Sequence, residues 1–290
     1  MDAGASDDVG PAENGSRCLP EYAADLQGCD VREIVNRGVR ISYDVMGAGR
    51  PLVLLHGWLN DGSWWSETGF IGDLQRDHRI VNVDMRGHGR SDKPHEPAAY
   101  HVDAFASDVL AVADAEGMDR FAIWGLSYGG WVAWSTANTA PERVAAIITT
   151  GSWDPRPGNL DEWVADTEPD LEVLRRDGMA ALIERFEDDS YTFPAAIRSV
   201  MLAADPEAMI ASQSSELVPD GVASLEGFPV PVLLITGELE DPEGDAARNA
   251  ALLPHGQSLA LRGLGHAAAC AASAATIPTA RAFLERWFPS

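Results

Sequence analysis

Phe121-Ala122-Ile123-Trp124-Gly125-Leu126-Ser127-Tyr128-Gly129-Gly130 is the stretch whose reading decides the fold. Its first four residues form a continuous apolar run, which suits a strand buried on both faces of a parallel sheet. Residues 125–129 fit the pattern G-x-S-x-G, and residues 130–140 continue as a helix that Pro141 ends. A sharp turn from strand to helix carries the serine hydroxyl out beyond the sheet edge. Small residues two before and two after the serine keep the backbone from clashing with itself. The turn also opens a helix, so it offers unpaired N–H groups and positive partial charge. A chance Gly-Ser turn would have neither flank.

The pattern repeats outward from there. Residues 31–35 and 39–45 are β-rich runs around Asn36-Arg37-Gly38, a predicted hairpin. Residues 52–55, 80–83, 144–149 and 232–235 are further apolar strand candidates, and residues 258–261 give a weaker one. Between them, Val102, Phe105, Val109 and Val112 recur at helical spacing, and residues 245–253 and 279–287 also read as helices. Strands alternating with helices predict an α/β fold, a mostly parallel central sheet covered on both faces. In such a sheet the ligand site lies beyond the carboxyl ends of the strands. Residues 31–150 and 229–290 are the expected core domain. Residues 151–228 hold no convincing strand and read as helices, for example 178–187 and 193–204. They carry 17 acids against 5 Arg. A helical cap over the site is the expected arrangement; the plainer alternative is a separate helical domain with no part in it. Residues 1–30, with seven acids and one base, read as a flexible acidic extension.

Composition narrows the function classes. A chain of 290 residues is long enough to bury a large core without a metal or disulfide staple. Its 21 Lys and Arg face 45 Asp and Glu, for a net charge of −24. Lys93 is the single lysine. Nucleic acid and anionic membrane surfaces are both recognised by basic groups, so neither is an expected partner. No apolar run reaches the length of a membrane span, and residues 1–15 lack the pattern of a secretory signal. Cys18, Cys29 and Cys270 show no metal-ligand spacing; Cys18 and Cys29 could pair in an oxidising compartment, but reduced thiols in a cytoplasmic protein are expected, with no metal and no cofactor.

A serine hydroxyl needs a base to take its proton. In the chain order Ser, acid, His, the base follows the last strand, where Gly263-Leu264-Gly265-His266 stands. His255 precedes that strand and belongs at its far end. The acid should follow residues 232–235, in Gly237-Glu238-Leu239-Glu240-Asp241-Pro242. Asp241 is preferred there because its short side chain, followed by proline, makes a stiff turn. Glu240 beside it and Asp154 after the fourth buried strand remain open. Two backbone N–H donors should hold the oxyanion: Tyr128, after the serine, and Trp58, in the His56-Gly57-Trp58 loop.

These residues resemble the α/β-hydrolase fold superfamily, in its capped serine-hydrolase branch of esterases, enol-lactonases, perhydrolases and proline iminopeptidases. The resemblance rests on His56-Gly57-Trp58, Asp84-Met85-Arg86-Gly87-His88-Gly89-Arg90-Ser91, residues 125–130, residues 237–241 and Gly265-His266, and it spans residues 31–290. It implies a triad of Ser127, Asp241 and His266 with oxyanion amides at Trp58 and Tyr128. The turn at residues 84–91 would then buttress the site loops, with His88 structural. One departure stands out: the family's acid usually falls three residues after the glycine that ends the strand, and here that position is Glu240. Relatives that open epoxides or remove halogens carry Asp where this chain has Ser127. Others use the same triad to cleave carbon–carbon bonds or to form peracids. The expected activity is hydrolysis of a small-to-medium, neutral, largely apolar ester or lactone. The alternatives are an iminopeptidase-like aminopeptidase and a non-catalytic small-molecule receptor. Trp58, Trp64, Trp65, Trp124, Trp131, Trp153 and Trp163 cluster near these motifs, and several are candidates for an apolar pocket wall. Trp131 and Trp134, at helical spacing, are expected in the core.

Overall fold

The structure, a computed structural model, describes residues 30–152, 160–187, 191–214, 222 and 224–289. The expected hairpin forms from β1 (Asp30–Asn36) and β2 (Val39–Met46). Arg37 and Gly38 between them both have positive φ, the turn whose twist matches the two strands. Asp30, expected in the extension, is the first residue of β1; residues 1–29 lie outside the described residues.

The chain then alternates. β3 (Arg50–Leu55) leads to the short helices α1 (Ser63–Glu67) and α2 (Phe70–Leu74) and to β4 (His78–Val83). α3 (Val102–Ala115), β5 (Phe121–Leu126), α4 (Tyr128–Thr139) and β6 (Val144–Thr150) follow. Among the described residues, four α-helices stand between β6 and β7: α5 (Leu160–Asp177), α6 (Met179–Phe186), α7 (Ala195–Leu202) and α8 (Pro206–Gln213). The chain ends with β7 (Val232–Gly237), α9 (Asp245–Leu252), β8 (Gly256–Leu261), α10 (His266–Ala271) and α11 (Ser273–Trp287).

Among the described residues, eight strands make one sheet in the order β1-β2-β4-β3-β5-β6-β7-β8. β1, β2 and β4 pair antiparallel, and every pair from β4 to β8 is parallel. All residues of β5, β6 and β7 are buried, as their unbroken apolar runs require. β8 reads faintly because it is the sheet's edge and only Leu261 in it is buried. α11 begins at Ser273, earlier than residue 279, and carries Pro278 within its first turns.

Side chains of β5 alternate between two packed faces. Trp124 meets Trp65 and Phe70 edge to face, with ring centroids 5.8 and 5.1 Å away. On the opposite face, Gly125 lies so close to α4 that a Cβ there would stand 2.2 Å from the Gly129 carbonyl oxygen. The parallel strands therefore deliver the loops after β3, β5, β6, β7 and β8 to one edge of the sheet.

Candidate active site

Ser127 has φ 49° and ψ −114°, a conformation that costs a non-glycine residue strain. The surroundings enforce it. The Ser127 amide donates to the Thr150 carbonyl at 2.7 Å, and the Ser127 carbonyl accepts from the Gly130 amide at 2.8 Å and from the Ser152 hydroxyl. A Cβ on Gly129 would stand 2.4 Å from the Leu55 carbonyl oxygen, so α4 starts in contact with the end of β3. These fixed partners hold the Ser127 hydroxyl over the strand ends.

His266 begins α10 after the Gly263–Gly265 approach, and its Nε2 stands 2.9 Å from Ser127 Oγ. Its Nδ1 stands 2.5 Å from Glu240 Oε2. A carboxylate only accepts, so Nδ1 carries the proton and Nε2 presents its lone pair to the serine. Burial works to lower the imidazole pKa, but the hydrogen bond and charge of Glu240 outweigh it and hold the ring above its usual 6.5. The loop after β6 leaves room for the ring only because residue 151 is glycine at positive φ: a Cβ there would stand 2.4 Å from His266 Cε1.

The carboxylate that meets His266 is Glu240, not Asp241. The turn after β7 brings the Glu240 side chain back over its own start, where Oε1 accepts from the Gly237 amide at 2.7 Å and Oε2 faces the imidazole. Asp241 turns the other way. Its two oxygens accept from the Asp245 and Ala246 amides at 2.7 and 3.1 Å, satisfying the exposed N–H groups at the start of α9. A short carboxylate just ahead of a helix is drawn to those amides, and the longer neighbour is left to reach the histidine. Asp154 lies outside the described residues.

The Trp58 and Tyr128 amides flank Ser127, and neither donates to any group of the protein among the described residues. Gly57 brings the first loop in close, since a Cβ there would be 3.6 Å from Ser127 Cβ. Behind it, His56 Nδ1 donates to the Gly57 carbonyl at 2.8 Å and Nε2 accepts from the Met85 amide at 3.1 Å. Asp84 accepts from the Gly62 amide at 2.9 Å and from Arg90. The turn at residues 84–91 thus braces the loop after β3. His88 is buried beside His56, and burial, together with that neighbour, pushes its pKa down to about 3. It is a neutral core histidine.

Ser127 and His266 open into a cavity of about 460 Å³. Trp58 and Trp64 from the core, Phe186 and Met201 from the inserted helices and Phe193 from the segment just before α7 give it aromatic and aliphatic walls. Asp170 also lines it, but its carboxylate is held by Arg185 at 2.6 Å, so its charge is locally balanced. Cys270 closes the wall one helical turn after His266, its thiol pushed well up by burial. Trp65, Trp124 and Trp134 are core residues. Trp153 and the Trp163 side chain lie outside the description.

Residues 50–268 match the family model described as alpha/beta hydrolase fold. The chain belongs to that family. Among α/β-hydrolase structures, the enol-lactonase from Burkholderia xenovorans LB400 is similar with a TM-score of 0.75 and 24% identity, over 87% of this chain and 99% of that one. An esterase from Rhodococcus sp. ECU1013 is similar with a TM-score of 0.71 and 25% identity, over 89% and 99%. "Epoxide hydrolase 4" of Mus musculus is 31% identical over 138 residues, 47% of this chain and 37% of the relative. The chain thus spans little more than a third of that relative's length. Among the described residues of this α/β-hydrolase, no helix is long and apolar enough to cross a membrane.

Two contributors escaped the sequence reading. Ser152 braces Ser127 from the end of β6, a place the strand order could have marked. Ser212 on α8 accepts from the side chains of both Trp58 and Tyr128, and nothing in its sequence surroundings marks it.

Proposed function

We propose that this α/β-hydrolase cleaves small-to-medium, neutral, largely apolar esters or lactones through Ser127, His266 and Glu240. The observation that carries the reading is the chain of contacts Ser127 Oγ, His266 Nε2, His266 Nδ1, Glu240 Oε2, at 2.9 and 2.5 Å. Ser127 attacks the substrate carbonyl carbon while His266 takes its proton, and Glu240 stabilises the imidazolium that forms. The carbonyl oxygen becomes an oxyanion held by the Trp58 and Tyr128 amides. As the tetrahedral centre collapses, the bond to the alcohol oxygen breaks and His266 passes the proton to it. Water then gives a proton to His266 and attacks the acyl-enzyme. The carboxylic acid leaves, and the proton returns to Ser127. Helices α5 to α8 act as the lid that walls the acyl and alcohol groups from water.

Chemistry also favours this reading over epoxide opening. A carboxylate that opens an epoxide forms an ester, which water can cleave. A serine would form an ether, which has no carbonyl for the oxyanion amides to act on. The pairing of Asp170 with Arg185 speaks against an amine-binding aminopeptidase pocket. The test is a panel of p-nitrophenyl acyl esters and simple lactones, with fluorophosphonate labelling and mass spectrometry of the tagged peptide. Ester turnover, lost in Ser127→Ala, together with label on Ser127 is the expected result. Turnover confined to prolyl anilides, or ligand binding without turnover, would overturn it.

A further inference from the structure

Trp58 and Tyr128, whose amides flank the serine, send their side chains to one residue of the inserted helices. Trp58 Nε1 donates to Ser212 Oγ at 3.1 Å, and the Tyr128 hydroxyl donates to the Ser212 carbonyl at 3.4 Å. Ser212 is fully buried near the end of α8, where its own hydroxyl donates to the Met209 carbonyl at 2.8 Å. Its carbonyl is one of the last four of the helix, which lack intrahelical donors. α8 is itself well fixed, since Asp205 accepts from the Glu207 and Ala208 amides at its start.

We propose that Ser212 is a positioning residue for the oxyanion hole, tying both amide donors to the lid. The inference rests on the oxyanion roles proposed above. The loop after β3 needs such a tie. Leu59 holds φ 65°, a costly state for a branched residue, and Gly57 before Trp58 limits the backbone little. From the core side, the Asn60 side chain holds the Trp58 carbonyl at 3.1 Å. From the lid side, the indole bond to Ser212 fixes the ring, and with it the direction of the Trp58 N–H. Tyr128 at the start of α4 is tied to the same point. A seated α8 therefore orients both donors toward one oxyanion, and an unseated one releases Trp58.

The test is a double-mutant cycle on the full chain with a p-nitrophenyl ester. Ser212→Ala removes the acceptor, and Trp58→Phe removes the donor while keeping an aromatic ring. Each single change is expected to lower kcat about tenfold, part of the roughly 10²–10³ lost with a whole oxyanion donor, with KM moving less than twofold. The double variant should be no slower than the singles, because both remove one bond. Melting temperature checks that each variant is folded. Wild-type kcat in both singles, multiplying losses in the double, or a loss carried wholly by KM would overturn the role of Ser212. If Ser127→Ala keeps full turnover, the reading beneath falls, and the inference with it.

Discussion

Two turns at the same edge of the sheet hold their functional groups by opposite means. After β5, the backbone itself is the device: Ser127 is forced to φ 49°, and Gly125 and Gly129 are wedged against backbone atoms 2.2 and 2.4 Å from where a Cβ would be. After β7, side chains decide. Glu240 folds back onto the Gly237 amide while Asp241 caps α9. The first turn tolerates almost no change of residue. The second could exchange the length and identity of its acid with modest rearrangement, provided a carboxylate still meets the imidazole.

The largest effects belong to the backbone-built turn. Gly129→Ala would drive a methyl into the Leu55 and His56 carbonyls, neither of which can yield without moving β3. Loss of soluble folded protein, or of all ester turnover, is expected in expression and activity assays. A fully active Gly129→Ala protein would show that the turn is softer than its contacts imply. Ser127→Ala keeps the fold and should lower kcat on the order of 10⁴-fold or more, as loss of a triad nucleophile does.

The two acids of the second turn should separate cleanly. Glu240→Gln is expected to cut kcat on the order of 10²–10⁴-fold, since the imidazolium loses its counter-charge and the ring its fixed tautomer. It should also move the acid limb of kcat/KM. The proposed mechanism needs neutral His266, and Glu240 raises its pKa, so turnover in the wild type is expected to fall as pH drops through a value above 6.5. Without that charge the limb shifts to lower pH. Asp241→Ala should leave kcat within about twofold and lower the melting temperature by about 2–4 °C, the effect of losing a helix cap worth about 1 kcal/mol. A collapse of kcat in Asp241→Ala with activity intact in Glu240→Gln would reverse the assignment.

The same contrast explains what could be read from the chain. Backbone constraints leave marks: the G-x-S-x-G turn, Gly263 before His266 and the apolar runs of β3, β5, β6 and β7 are dictated by close approach, by a positive φ or by burial. They placed Ser127 and His266 together, and the sheet followed from them. Side-chain reach leaves none. Asp241 and Glu240 are neighbours of like charge, and only the start of α9, which claims the shorter one, separates their roles. Ser212 was invisible for the same reason: a serine in a helix gains its partners from tertiary packing alone, with no spacing to announce them. The pocket walls were half legible. Trp58 and Trp64 line the cavity, but Trp65 and Trp124 were drawn into the core by packing on α2.

The weakest contact in this series is also held by side chains, at the opposite end of α8 from Ser212. His95, in the loop before α3, places Nε2 3.1 Å from Asp205 and Nδ1 2.9 Å from Glu207, with Glu96 adding negative charge nearby. The hydrogen bond that His95 donates to Asp205 leads the causes that raise the His95 pKa above 6.5. A raised folded-state pKa means the bridge contributes in full below about 6.5 and fades as pH climbs through the folded value. His95→Gln should therefore lower the melting temperature slightly at pH 6 and leave it unchanged at pH 9. The ring is 47% exposed, so solvent and salt screen the pair and the shift stays small. Ester turnover at pH 9 should match the wild type, because α8 keeps its Ser212 contacts when the bridge is already neutral. A melting difference that is the same at both pH values would mean that His95 acts by packing, and that α8 is seated from its Ser212 end alone.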